Sequence, residues 1–267
     1  MRIKLRMNKK ILPIASLVLA VLILSYSTFI YREPASAPSV TTGATKTEPK
    51  QETKEAEKEP VTEVKPSKPE EKTPEFNKNQ FSLTDPASVW MVVNKKRPLP
   101  SGYAPSDLAY TLGGQMRSEA SANLINLVNS AKNGGHNLYL ISSYRSYATQ
   151  QSTYNGWVAK DGVAQADTYS ARPGHSEHQT GLAVDLGGGS CDLDTCFGNT
   201  FAGIWLANNA HNFGFIVRYP NGKDSVTGYQ YEPWHLRYVG VGLAKEIANS
   251  PSKTMEEFFG LDATPTY

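Results

Sequence analysis

The chain has 267 residues, of which 19% are charged and 10% aromatic, with 21 glycines, 17 prolines and 2 cysteines. This composition excludes a collagen repeat, a disulfide-rich miniprotein and a wholly disordered chain. The formal charge of +2 is split unevenly, because residues 1–78 carry 14 basic and 10 acidic side chains and residues 79–267 carry 13 and 15. A body with this balance lacks the polycationic surface of a nucleic-acid-binding protein, so we expect no nucleic-acid partner.

The first 31 residues have the pattern of a membrane anchor. Five basic residues lie within residues 1–10, and an uncharged, mostly apolar run follows over residues 11–31. At about 1.5 Å per residue, a helix of this length spans the roughly 30 Å hydrocarbon core of a bilayer. The basic flank predicts that residues 1–10 stay in the cytoplasm and that the chain after a single span is exported. The alternative is a cleaved signal peptide and secretion, since Ala35-Ser36-Ala37 resembles a cleavage site.

Residues 32–79 have the composition of a linker. Between Thr41 and Lys78 the chain carries 8 Lys, 9 Glu and 5 Pro, and Phe76 is its only aromatic residue. Such a segment cannot bury enough apolar surface to offset its ordering entropy, so we predict a disordered spacer. A single folded domain is then expected over residues 80–267.

The expected domain alternates helical and strand patterns without a fixed repeat. Apolar residues at helical spacing predict a helix from Arg117 that ends at Gly134-Gly135. Further patterns predict helices over residues 146–160, 204–213 and 240–249, and strands over residues 137–143, 180–186, 215–219 and 234–238. This order indicates an α+β fold built around a small sheet.

Residues able to carry chemistry concentrate in three short stretches. In a strand over residues 181–186, alternation would place Asp185 on the face opposite the leucines, with His178 in the loop before it, and this pair suits zinc. In the second stretch Glu232 precedes His235 by three residues, which suggests a third ligand beside a non-ligating base. In the third, Arg145 at a strand-to-helix junction supplies a fixed cation for a carboxylate or an oxyanion.

These stretches together resemble the VanY-type family of zinc D-alanyl-D-alanine carboxypeptidases over roughly residues 90–250. The resemblance is specific because several separate motifs occur in the same order. It implies the fold shared by D,D-peptidases and the hedgehog signalling domain, with a small antiparallel sheet and flanking helices. The motifs are Tyr144-Arg145-Ser146 with Gln150, Ser176-x-His178, Gly181-x-Ala183-x-Asp185 and Glu232-x-x-His235.

The same resemblance implies a role for each motif residue. His178, Asp185 and His235 would hold Zn²⁺, and Glu232 would be the catalytic base. The residues that would line the substrate side, touching the terminal carboxylate or the scissile carbonyl of a peptidoglycan stem peptide, are Arg145, Gln150 and Ser176. A three-ligand zinc site keeps an open position for a water whose pKa falls to about 7, and a base beside it can take the proton.

Three functions stay open on the sequence. The first is a D,D-carboxypeptidase that removes the terminal D-Ala from stem pentapeptides, and the second is an L,D-carboxypeptidase that trims tetrapeptides with the same residues. The third is a zinc-stabilised binding domain without catalysis, against which the presence of both Glu232 and Arg145 argues. The sequence gives no oligomeric state.

The remaining histidines and the two cysteines stand outside these assignments. His175 stands three residues before His178 and is an alternative ligand. His136 and His211 lie outside the motifs, so we expect them at structural or surface positions. The cysteines, Cys191 and Cys196, lie in a polar loop of an exported domain, where a local disulfide is one outcome that the sequence leaves open.

Overall fold

The structure, a computed structural model, describes residues 75–267. The predicted cytoplasmic segment, the predicted span at residues 11–31 and most of the predicted linker lie outside the described residues. Within residues 75–267 no helix has the length and apolar character of a membrane span.

The described chain is a mixed α/β domain with small antiparallel sheets, which confirms the predicted α+β class. Its strands are β1 Leu108–Thr111, β2 Gly114–Arg117, β3 Tyr139–Ser142, β4 Ala183–Gly187, β5 Phe215–Tyr219 and β6 Glu232–Tyr238. Its helices are α1 Ser118–Asn133, α2 Tyr147–Asp161, α3 Val163–Ala166, α4 Phe201–Asn209, α5 Asp224–Thr227, α6 Val241–Asn249 and α7 Met255–Phe259. Strands β1 and β2 form a hairpin, and the other four form an antiparallel sheet in the order β3-β4-β6-β5.

Side-chain alternation divides the four-stranded sheet into an apolar face and a polar face. Leu186 of β4 and Leu236 of β6 belong to the main core cluster, together with Leu124 and Leu127 of α1. Because neighbouring strand residues point to opposite faces, Asp185 leaves this core, as the sequence predicted. The register pairs Asp185 with His235 across β4 and β6, so the sheet itself brings a carboxylate and an imidazole together.

A second apolar cluster joins the start of the described chain to its last helices. Trp90 packs with Leu243 of α6 and Phe258 of α7 in this cluster. Phe76 stacks on Trp90 with ring centroids 5.7 Å apart and meets Phe258 edge-on at 6.0 Å. Phe76 therefore packs on the domain, although it lies in the segment 32–79 whose composition predicted a linker.

Two predicted elements begin three residues away from their predicted starts. The strand predicted over residues 180–186 is preceded by a 3₁₀ turn, Glu177–Thr180, and Gly181 ends that turn with φ +67°. The helix predicted over residues 204–213 begins earlier, because the Thr200 side chain accepts a hydrogen bond from the Gly203 N–H. It continues as a 3₁₀ turn, Ala210–Phe213.

Candidate metal centre and active-site cleft

Three buried side chains from three separate segments meet at one end of the sheet. His178 comes from the 3₁₀ turn before β4, Asp185 from β4 and His235 from β6. His178 Nε2 lies 3.2 Å from Asp185 Oδ2, and His235 Nδ1 lies 3.2 Å from Asp185 Oδ1. One potential ligand atom from each residue lies within 4.8 Å of the others, so the set can hold a metal ion.

The surroundings of the two imidazoles determine which ring nitrogen faces Asp185. His178 Nδ1 lies 2.7 Å from the Ser143 carbonyl oxygen, so it carries the proton and leaves Nε2 unprotonated toward the carboxylate. His235 turns Nε2 away, 3.5 Å from Glu177 Oε2, and its Nδ1 faces Asp185. Within the described residues, Asp185 Oδ1 is buried without a hydrogen-bond partner. A cation between these atoms would satisfy it, so the donor set fits a metal.

The electrostatics of the three residues favour a bound cation. Burial acts to raise the pKa of Asp185, but His178 and His235 outweigh burial and hold that pKa well below its ordinary value. Burial lowers the pKa of His178. Burial also acts to lower the pKa of His235, but Asp185 and Glu177 outweigh it and raise the value to about 9. The carboxylates that attract a proton to His235 would equally attract a divalent metal ion in its place.

Glu232 is a buried carboxyl group that stands beside the three residues without joining them. It begins β6, and its Oε2 lies 3.8 Å from His235 Nδ1. Burial raises the pKa of Glu232 to about 8, with Asp185 adding to the effect and His235 and Arg145 opposing it. A carboxyl group with a pKa near neutrality can both accept and return a proton during a reaction.

The other three predicted site residues lie around the same cleft. The Arg145 N–H donates to the His178 carbonyl oxygen, and its Nη2 lies 3.9 Å from Asp185 Oδ2. Gln150 donates through Nε2 to the Ala171 carbonyl oxygen at 2.6 Å, and its buried Oε1 has no hydrogen-bond partner among residues 75–267. The Ser176 side chain accepts from the His178 N–H and caps the 3₁₀ turn.

All seven residues predicted for the site line one cleft of about 550 Å³. Aromatic and aliphatic side chains complete its walls, among them Trp157, Tyr169, Tyr219, Trp234 and Leu193. The cleft thus combines the candidate metal centre with partly apolar walls.

The structure also describes the surroundings of His175 and of the two cysteines, whose roles the sequence left open. His175 lies outside the three-residue set: its Nδ1 is 2.9 Å from the Asn94 carbonyl oxygen, and its ring packs edge-on against Tyr267. Cys191 and Cys196 form a disulfide, which closes the loop that carries Leu193.

Sequence reasoning missed a group of buried charges behind the site. Its members are fully buried ion-pair partners: Glu177, Arg218, Arg237 and Glu256. The available signal was an arginine within each of two buried strands, in the mostly apolar run Phe215–Tyr219 and in the run Trp234–Tyr238, which also holds His235. A charged side chain in a buried strand needs a partner of opposite charge, and Glu177 lies within the ligand motif itself.

A mixed α/β domain that gathers two histidines, an aspartate and a separate buried glutamate at an open cleft defines a class of metal-binding hydrolases. A sequence profile of the VanY family, D-alanyl-D-alanine carboxypeptidases, matches residues 113–241. The chain is 40% identical over 190 residues to YodJ of Bacillus subtilis, a protein provisionally named a carboxypeptidase, covering 67% of this chain and 69% of YodJ. The chain therefore belongs to the VanY family and is a carboxypeptidase-type enzyme.

Two solved structures extend the comparison. The LD-carboxypeptidase LdcB, whose structure was described in terms of peptidoglycan recognition, is 40% identical with a TM-score of 0.61, over 66% of this chain and 87% of LdcB. The vancomycin-resistance D,D-pentapeptidase VanY, solved with Zn(II), is 35% identical with a TM-score of 0.56, over 63% of this chain and 97% of VanY. Both similarities support the predicted fold, and they come from enzymes with two different specificities.

Proposed function

We propose that the domain is a zinc-dependent carboxypeptidase that removes the terminal D-alanine from peptidoglycan stem peptides. The observation that carries the proposal is the arrangement of His178 and His235, each of which turns one ring nitrogen to Asp185 while Glu232 stays outside the set. A structural zinc site would be closed by four protein ligands, whereas three ligands and a free carboxyl group suit catalysis.

In this proposal Zn²⁺ is held by His178 through Nε2, by Asp185 and by His235 through Nδ1. When bound, zinc lowers the pKa of a coordinated water and polarises a carbonyl group. Glu232 accepts the proton that the attacking water loses and returns it to the leaving amine of D-alanine. No covalent bond between the enzyme and the peptide is needed.

Arg145 supplies positive charge on the substrate side. Its guanidinium group lies 3.9 Å from Asp185 Oδ2, and burial lowers its pKa without removing its charge. A planar donor group in this position can hold the carbonyl oxygen of the scissile bond or the terminal carboxylate of the peptide. Gln150 and Ser176 also line the cleft.

The choice between D,D and L,D specificity belongs to this proposal as well. Removal of D-alanine from pentapeptides is the activity that the family description suggests. Trimming of tetrapeptides is the second candidate, and it is favoured by the higher identity and TM-score to LdcB than to the D,D-pentapeptidase VanY. Both reactions release D-alanine with the same residues. The two specificities therefore differ in the part of the cleft that binds the peptide on the N-terminal side of the scissile bond.

The test is to incubate the purified full-length protein with defined stem tetrapeptides and pentapeptides and to weigh the products. Loss of D-alanine from the pentapeptide supports D,D activity, and loss from the tetrapeptide supports L,D activity. Zinc content is measured in parallel for His178→Ala and, as a matched control, His175→Ala. Zinc lost only from the first supports the ligand set, and a wild type that binds zinc and cleaves neither peptide would support the binding-domain alternative.

We also propose that residues 11–31 anchor the enzyme in the cell membrane and that residues 32–79 hold its domain at a distance on the outer side. The length of the apolar run and its basic flank support this arrangement. Cell fractionation tests it: a mature chain that begins at Pro38 in the medium would show a cleaved signal instead.

A further inference from the structure

Directly behind the metal centre lies a buried network of two carboxylates and two guanidinium groups. Glu177 Oε1 accepts hydrogen bonds from Arg218 Nε and Arg237 Nη1, both at 2.7 Å. Arg218 also donates to both oxygens of Glu256, at 2.9 and 2.7 Å. All four side chains are fully buried, and their formal charges cancel. The network therefore fixes the Glu177 carboxylate in one orientation.

One oxygen atom of this network, Glu177 Oε2, faces the metal centre. Because both arginines bind Oε1, the other oxygen of Glu177 is left for His235, whose Nε2 lies 3.5 Å away. Within residues 75–267, neither Glu177 Oε2 nor His235 Nε2 has a hydrogen-bond partner of its own. Two buried polar atoms that face each other without other partners are expected to pair.

We infer that Glu177 is a positioning residue, which orients His235 for metal binding by accepting a hydrogen bond from its Nε2–H group. A proton held at Nε2 leaves the lone pair on Nδ1, the nitrogen that faces Asp185. This inference rests on the proposed function, in which Nδ1 is the atom that holds zinc. A carboxylate behind a ligating imidazole both fixes its tautomer and strengthens it as a ligand.

Glu256 serves as a comparison, because it belongs to the same network and its role there is structural. It pairs with the same Arg218 and also accepts from Asn94 Nδ2 at 3.0 Å. It is as deeply buried as Glu177, and none of its contacts in the described chain involves His235. Loss of either carboxylate leaves buried positive charge, so Glu256→Gln is a matched control for the stability cost of Glu177→Gln.

The amide in Glu177→Gln should reverse the tautomer of His235. Arg218 and Arg237 both donate, so the amide oxygen must remain where Oε1 is now. The amide NH₂ would then face His235 Nε2, which could only accept, and the imidazole proton would move to Nδ1. A protonated Nδ1 has no lone pair for a metal ion.

The experiment measures the zinc dissociation constant by chelator competition for the full-length wild type, Glu177→Gln and Glu256→Gln, at a temperature where circular dichroism shows each to be folded. We expect Glu177→Gln to weaken zinc binding about 10- to 100-fold and Glu256→Gln to leave it within a few-fold of wild type. Equal weakening in both variants, or none in either, would overturn the inference. Failure of the wild type itself to bind zinc would overturn the proposed function and this inference with it.

A second measurement needs no variant and tests the tautomer and hydrogen bonding of His235 that the inference requires if Glu177→Gln does not fold. In zinc-loaded, ¹⁵N-histidine-labelled wild type, two-bond ¹H–¹⁵N correlations report which nitrogen of each imidazole carries a proton. We expect the His235 proton on Nε2, protected from exchange with water, and the His178 proton on Nδ1. A His235 proton on Nδ1, or an Nε2 proton that exchanges as freely as an exposed one, would contradict the role assigned to Glu177.

Discussion

Replacing Glu232 with glutamine should separate catalysis from metal binding. The substitution keeps the shape of the side chain and removes the oxygen that accepts a proton. Glu232 Oε2 is 3.8 Å from His235 Nδ1 and is not one of the three clustered ligand residues, so zinc content should stay at the wild-type level. Since glutamine introduces no buried charge, the fold should also persist.

The expected loss of turnover follows from the role of the group. General-base catalysis contributes about 10²- to 10⁴-fold to a rate, and a base that also returns the proton to the amine belongs at the upper end. In free energy this is an increase of about 3 to 5 kcal/mol in the activation barrier. Because glutamine changes little in substrate binding, the loss should appear in kcat rather than in KM.

The assay is release of D-alanine from the preferred stem peptide, with zinc content determined on the same sample. Glu119→Gln is the control, because it makes the same chemical change on α1, where Glu119 accepts a hydrogen bond from Tyr238 outside the cleft. Near-normal turnover in Glu232→Gln would refute its assignment as the base. Loss of zinc together with turnover would instead make Glu232 a ligand.

Three other changes have expected results of different kinds. Replacing both Cys191 and Cys196 with serine opens a loop of about six residues, which should lower the free energy of unfolding by about 2 kcal/mol in urea titrations, and an unchanged value would contradict this. Arg145→Lys keeps the charge but loses the planar pair of donors, so kcat/KM should fall while zinc content stays constant; equal kcat/KM would show that charge alone suffices. Burial opposes the charged form of Glu256, but Arg218 outweighs burial and lowers its pKa below 4.5. The decrease in the free energy of unfolding caused by Glu256→Gln should therefore be largest above pH 4.5 and become smaller as the pH falls below it; a decrease that does not depend on pH would contradict this.

Most of the sheet and its large helix were predictable from residue patterns. Helix α1 follows its apolar spacing closely, and strand alternation alone placed Asp185 opposite the core. The start of α2 follows from Ser146, whose side chain accepts from the Thr149 N–H. These features depend on residues that are close together in the sequence, so a sequence pattern is enough to predict them.

The elements that escaped prediction depend on contacts distant in sequence or on unfavourable turn residues. The β1–β2 hairpin turns through Leu112 at φ +47° and Gly113 at φ +91°; leucine is unfavourable at the first of these positions, so the turn lacks the usual Asn-Gly or Asp-Gly pair. Helix α7 has five residues, too few for a period to be recognised, and it is fixed by packing in the second cluster. The pairing of Glu177 with two arginines joins the 3₁₀ turn to β5 and β6, and no local pattern encodes it.

The register of β6 determines the core and the site at once. Along this strand Leu236 points into the main core, while His235 and Arg237, on either side of it in sequence, take the opposite face. A slip of one residue would put both charged side chains into the apolar core and Leu236 beside Asp185. The free energy gained by burying the core therefore also favours the register in which His235 lies beside Asp185 and Arg237 beside Glu177. Any alternative register would lose both the packing of the apolar core and the ion pairs. This explains why fully buried charges are stable at this site.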